Sequence, residues 1–177
     1  MAPIDDYSSS WQDFASTIKP DVDVEKKVTL KKIRRDGCDF DVDYKANAAH
    51  DSEKSVDKSN PYIRNFTTQM RAYSPELTEF FDDFAIDIIK PDSITWEEIE
   101  GGIRYETKYL CRGTMNLESF ERNVRKVKIC GKKPADGIIE FTMSNLVLSC
   151  VVMELRKAPA QPEATGFLGK LKSKLKK

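Results

Sequence analysis

The residues Gly166 to Lys177 carry the densest pattern of chemically useful side chains in this 177-residue chain. Wound as a helix, Phe167, Leu168, Leu171 and Leu175 would share one face, and Lys170, Lys172, Lys174, Lys176 and Lys177 would spread around the rest. Such a lysine-rich amphipathic segment suits the interface of an anionic membrane, with its apolar side sunk toward the acyl chains. Each lysine near an anionic leaflet contributes about 1 kcal/mol. A peptide this short is not helical on its own in water, so helix formation is expected to accompany binding. The plainer alternative is a solvated basic end that serves solubility.

A second cationic run comprises Arg122, Arg125, Lys126, Lys128, Lys132 and Lys133. It is a candidate for contact with the phosphates of a nucleoprotein or with acidic lipid headgroups, because such contacts need only clustered positive charge. No aromatic residues are interleaved with it, so stacking on single-stranded bases is not expected. A solvated sheet face is the alternative here.

Catalytic chemistry finds little support. There is no phosphate-cradling glycine loop and no nucleophile elbow. His50, the one histidine, sits in a polar stretch that reads as solvated loop, which disfavours a histidine-based triad. Cys38, Cys111, Cys130 and Cys150 lack metal-ligand spacing and read as reduced thiols, three of them in strand-like segments. The expectation is a non-enzymatic protein with no catalytic residue, cofactor or metal.

The formal net charge is zero, yet residues 1–100 hold 13 Lys/Arg against 22 Asp/Glu, and residues 101–177 hold 16 against 7. A chain divided in this way can approach an anionic surface with one half and can self-associate head to tail. The opening Met1-Ala2-Pro3-Ile4-Asp5-Asp6 shows no leader pattern, and no apolar run approaches the roughly 20 residues of a membrane span. A cytoplasmic, peripherally membrane-associated protein is expected.

These candidates need elements to hold them. Residues 1–23 read as a mobile arm in which Trp11, Phe14 and Ile18 fall at helical spacing. Residues 28–44 read as a hairpin turning at Asp36-Gly37, which pairs Arg34 with Asp39, Lys32 with Asp41 and Ile33 with Phe40. Residues 45–60 read as an exposed loop. Residues 74–90 read as the main helix, capped by Ser74, stopped by Pro91 and striped by Leu77, Phe80, Phe81, Phe84 and Ile88. A strand follows from Ile103 to Cys111, is broken at Gly113 as by a bulge, and continues through Thr114-Met115-Asn116-Leu117. Another runs from Val124 to Cys130, followed by a turn through Gly131 to Gly137. Ile138 to Leu155 is either one bent strand or a hairpin turning near Ser144-Asn145. Ala158-Pro159-Ala160-Gln161-Pro162 begins a semi-stiff linker. The expected fold is an α+β domain over 24–156, an antiparallel sheet with one main amphipathic helix. A mobile arm (1–23) precedes it, and a linker with the basic tail (157–177) follows.

The layout resembles that of the rhabdovirus matrix proteins, particularly the short forms of plant-infecting members. The local echo is Tyr105-Glu106-Thr107-Lys108-Tyr109-Leu110-Cys111 running into Arg112-Gly113-Thr114-Met115-Asn116-Leu117. The better-known members carry their basic arm at the N-terminus and often a Pro-Pro-x-Tyr motif. Here the basic arm is C-terminal and that motif does not occur. The resemblance implies a virion structural protein that binds an anionic membrane, self-assembles and condenses a nucleocapsid or other protein partner, with non-specific nucleic-acid contact. A cytoplasmic adaptor or protein-binding module, using the Trp11 arm and the sheet, is the alternative reading of the same residues.

Overall fold

The computed structural model describes residues 29–155. The Trp11 arm, the proline-containing linker and the basic tail lie outside the described residues. The chain opens with β1 (Lys31–Arg35) and β2 (Cys38–Val42), joined by Asp36 and Gly37. Both turn residues have positive φ, 48° and 79°, as a tight two-residue hairpin turn requires. The expected register holds: Lys32 faces Asp41, Ile33 faces Phe40 and Arg34 faces Asp39. A one-residue slip would expose Phe40 and Val42, which are fully buried, so burial and turn chemistry select the same pairing.

The remaining strands are β3 (Ser93–Ile99), β4 (Gly102–Met115), β5 (Ser119–Val124), β6 (Val127–Ala135) and β7 (Ile138–Leu148). They form a single antiparallel sheet in the order β1-β2-β4-β7-β6-β5, with β3 also paired to β4. The long strand β4 is therefore the spine. One edge runs along β7; the other takes β3 over Gly102–Lys108 and β2 over Gly113–Met115. Gly113 does not break the strand. A side chain there would sit 2.7 Å from the Asp41 carbonyl oxygen, so glycine is what lets β2 approach.

Several expectations about the strands need correction. Val124 to Cys130 is not one strand: Arg125 and Lys126 form the turn between β5 and β6, with Arg125 at φ 56°. The glycine-flanked stretch 131–137 is mostly strand, with its turn confined to Asp136-Gly137. β7 is one bent strand: Ser144 and Asn145 together oppose Glu106, and Asn145 takes φ 60°. That extra residue is a bulge that re-aims the end of the strand. The strand ends at Leu148, and a short 3-10 turn follows at Met153–Leu155.

Three helices are described where one main helix was expected. Residues 45–60 are not a loop: α1 (Tyr44–Glu53) begins there, and Asp43 caps it by accepting the Ala46 N–H. This helix has no apolar stripe, so periodicity could not reveal it. Next, α2 (Pro61–Tyr73) is capped by Asn60 and buries Asn65, Phe66 and Met70. Then α3 (Pro75–Asp82) starts at the expected Ser74 cap but ends eight residues earlier than expected. The Ile86 N–H reaches the Phe81 carbonyl and the Ala85 N–H reaches the Asp82 carbonyl, with Ala85 at φ 59°. This is a Schellman closure with alanine where glycine is usual. Phe84 and Ile88 are buried as the stripe implied, but Ile88 gets there from an irregular segment. The helices and that segment cover one face of the sheet; among the described residues no helix covers the other.

The left-handed alanine predicts that Ala85→Gly raises stability by about 0.5–1 kcal/mol, because glycine relieves the Cβ clash at some cost in unfolded-chain entropy. Urea unfolding with an unchanged m-value measures it.

Candidate functional site

The six cations read as a phosphate-contacting cluster lie along the β5–β6 hairpin. Adjacent in sequence, they are divided in space. Phe120, Val124, Val127 and Ile129 are buried on the helix-covered face, and Arg122 shares their side of β5. Lys128 and Lys132 alternate with the buried residues of β6 and stand on the open face, opposite Asn123 and Ser119.

Four of the six already have partners. Arg122 donates to Glu76 at 2.6 Å and Asp36 at 3.1 Å, and its guanidinium lies 5.8 Å from the Phe80 ring centre. It joins the first turn of α3 and the β1–β2 turn to β5. Arg125 donates to the Tyr73 carbonyl at the end of α2, where a cation suits the helix dipole. Lys128 pairs with Glu121 at 2.8 Å, and that hydrogen bond raises the lysine pKa and lowers the glutamate's. Lys133 pairs with Glu118 at 3.4 Å. Lys126 and Lys132 make no ion pair among the described residues and are exposed, so they are the cations most open to an incoming phosphate. The proposed membrane-binding residues, Phe167, Leu168, Lys170, Leu171, Lys172, Lys174, Leu175, Lys176 and Lys177, lie outside the described residues.

A polar centre that the sequence did not reveal occupies the gap on β4 between β3 and β2. There Asp92 Oδ2 accepts the Leu110 N–H at 2.7 Å, and Asn47 Oδ1 accepts the Arg112 N–H at 2.6 Å. Asn47 Nδ2 also donates to the Arg112 and Phe84 carbonyls. Two side chains thus stand in for the missing stretch of strand and satisfy backbone groups that burial would otherwise orphan. Asp92, with its side chain 8% exposed, also takes His50 Nε2 at 2.8 Å and Lys54 Nζ at 2.8 Å. The expectation of a solvated His50 is therefore corrected, since α1 carries it onto a buried carboxylate. Desolvation pulls the Asp92 pKa upward, but the His50 hydrogen bond, the Lys54 charge and the Leu110 amide outweigh it and hold the pKa below the usual range. Nearby, burial raises the Asp51 pKa, despite Lys54 and Lys90 3.8 and 3.9 Å away.

A histidine on a buried carboxylate resembles part of a general-base pair. Here the carboxylate also holds a lysine and a sheet amide, and the arrangement fastens α1 and the start of β3 to β4. Cys38 and Cys111 are buried, and Cys130 and Cys150 are half-buried; all four are free thiols. Burial pushes the Cys111 pKa up to about 12, which leaves it unreactive at neutral pH. No group of three or more His, Cys, Asp or Glu among the described residues is placed to hold a metal. No helix among them is long and apolar enough to cross a membrane. Two depressions, of about 320 and 780 Å³, are both open to solvent.

No protein-family model, curated protein or solved structure matches this chain.

Arg122→Ala should cost roughly 1–2 kcal/mol, through two lost charged hydrogen bonds and lost packing on Phe80. Lys126→Gln and Lys132→Gln should each stay within about 0.5 kcal/mol of the parent in the same denaturation assay. At Asp92, the folded pKa lies below the unfolded value of about 3.9. Its ionised form therefore stabilises the fold above that value, and the contribution disappears as pH falls through the lower, folded pKa. Asp92→Asn should lower Tm at pH 7, by roughly 3 kcal/mol of stability for a buried charge pair broken on one side. It should also flatten the acid limb of a Tm-against-pH curve below about pH 4.

Proposed function

We propose that this chain is a non-enzymatic peripheral assembly protein. It attaches to anionic membrane through Gly166–Lys177, associates with further copies of itself and bridges the membrane to a nucleoprotein or other protein partner, as its resemblance to short rhabdovirus matrix proteins implies. The observation that carries this reading is the tail pattern, four apolar side chains set against five lysines within twelve residues.

The described body supports it indirectly. Its large exposed apolar residues, Leu30, Tyr44, Trp96, Leu117, Val147 and Val151, are scattered over different elements. Most of its hairpin cations are already paired. Both observations support assigning the membrane attraction to the tail. For association the body offers other means: among the described residues, β1, β3 and β5 each have one edge with no strand partner, and no helix covers one face of the sheet. Lys126 and Lys132 on the β5–β6 hairpin are the cations best placed for phosphate on the partner.

Flotation of the full chain with phosphatidylcholine vesicles, with and without phosphatidylserine, tests the reading. The parent should float only with the anionic lipid. Replacing Phe167, Leu168, Leu171 and Leu175 by serine should leave weak attraction that salt abolishes. Replacing Lys170, Lys172, Lys174, Lys176 and Lys177 by glutamine should remove the preference for anionic lipid. Undiminished flotation of both variants would move membrane binding to another surface and sink the proposal.

A further inference from the structure

The larger of the two depressions, about 780 Å³, lies where α1, the end of α2, α3 and the segment after α3 meet. Its charged lining is Asp51, Asp82 and Asp87 against Arg71 and Lys90. Most of its polar groups are already engaged. Arg71 donates to Asp87 Oδ2 at 2.7 Å, and Asp87 Oδ1 accepts the Ile89 N–H at 3.2 Å. Lys90 Nζ donates to the Asp51 carbonyl at 3.2 Å. The Ser52 and Thr78 hydroxyls donate to the Ala49 and Ser74 carbonyls.

What is left over is acceptor capacity. Asp51, 9% exposed, is the most buried charged residue of the lining, and its Oδ1 accepts no hydrogen bond. Lys54 Nζ stands 3.8 Å from that oxygen, beyond hydrogen-bond reach, and is held instead by Asp92 Oδ2 at 2.8 Å and the Lys90 carbonyl at 3.2 Å. Asp82, the last residue of α3, is exposed, and its carboxylate makes no hydrogen bond or ion pair among the described residues. Burial raises the pKa of both carboxyls, and the charge of Asp87 raises them further. A buried acceptor without a donor costs free energy that an incoming N–H group removes.

Two carboxylates short of donors in one depression call for a ligand with N–H groups and positive charge. A bare metal ion fits less well, because no three His, Cys, Asp or Glu side chains among the described residues are placed to hold one. Ala48, Ala85 and Ile86 add aliphatic surface to the lining. A charged head on an aliphatic stem matches both parts. We propose that this depression binds an alkylammonium or alkylguanidinium group. Its N–H donors reach Asp51 Oδ1 and the Asp82 carboxylate, and its stem lies against Ala48, Ala85 and Ile86. The site belongs to the body and does not depend on the tail.

Amide NMR of the full chain at constant ionic strength tests it, with n-butylammonium and n-butylguanidinium as probes and tetramethylammonium and calcium as controls. Both probes should give saturable shifts at Ser52, Asp82 and Asp87. Tetramethylammonium, equally charged but without an N–H, should give none. Asp82→Asn, at an exposed position, should weaken binding by about tenfold through one lost charge-assisted hydrogen bond. Asp51→Asn should do the same, and Glu53→Gln, an exposed carboxylate of α1 outside the depression, should change nothing. Tighter binding of Nα-acetyllysine amide than of putrescine would mark a protein side chain as the source of the group, and the reverse a small polyamine; either supports the site. Shifts that rise without saturating, an equal response to tetramethylammonium, or undiminished affinity in Asp82→Asn would overturn the proposal. Calcium binding more tightly than either probe would make this a metal site and overturn it as well.

Discussion

The phenylalanine stripe of α3 is the contact on which the sheet depends. Phe80, Phe81 and Phe84 meet rings from four different strands. Phe84 lies 4.8 Å from Phe141 of β7 and 5.1 Å from Phe40 of β2. Phe81 lies 4.3 Å from Tyr109 of β4, and Phe80 stacks 5.9 Å from Phe120 of β5. Edge-to-face and offset contacts of this kind each add about 0.5–1.5 kcal/mol beyond burial. β2 pairs with β4 in register at three residues, and the Phe40 ring contacts add to what seats the hairpin. Arg122 continues the same assembly to the surface, since it covers Phe80 and ties the first turn of α3 and the Asp36 turn to β5.

A second constraint lies at the edge of β4. Two strands share that edge without meeting, and the residues between them would be left with unpaired backbone groups in a nearly dry place. Asp92 and Asn47 supply the missing partners. A carboxylate can be kept ionised there only because α1 brings His50 and Lys54 to it. The helix that looked like a solvated loop is therefore part of how the sheet is completed. Its polar sequence follows from that position, because it faces carboxylates and carbonyls where other helices face hydrocarbon.

The body and the tail then divide the work of the proposed function. The body is closed by aromatic packing and holds three of its six hairpin cations in ion pairs, while β1, β3 and β5 each keep one edge with no strand partner among the described residues.

Local chemistry was enough for the sequence to determine part of this protein. Asp36-Gly37 with alternating Cys38, Phe40 and Val42 specified the first hairpin to the residue, because turn geometry and burial of one face admit a single register. Ser74-Pro75 and the Leu77–Phe84 stripe specified α3 and its inner face, and together with the strand alternation they implied an antiparallel α+β fold. The tail's character is likewise composition alone. Tertiary structure decided the rest. The polar run from Tyr44 to Glu53 is helical because its partners are backbone groups of β4, more than fifty residues away. The helix at Ser74 stops at Asp82 in a left-handed closure at Ala85, where no glycine in the sequence marks the end. The run Arg122–Lys133 looked like one basic patch because sequence shows charge without showing partners. Folding places Glu76, Asp36, Glu121 and Glu118 beside three of its six cations and the Tyr73 carbonyl beside a fourth, and it divides the run between two faces of the sheet.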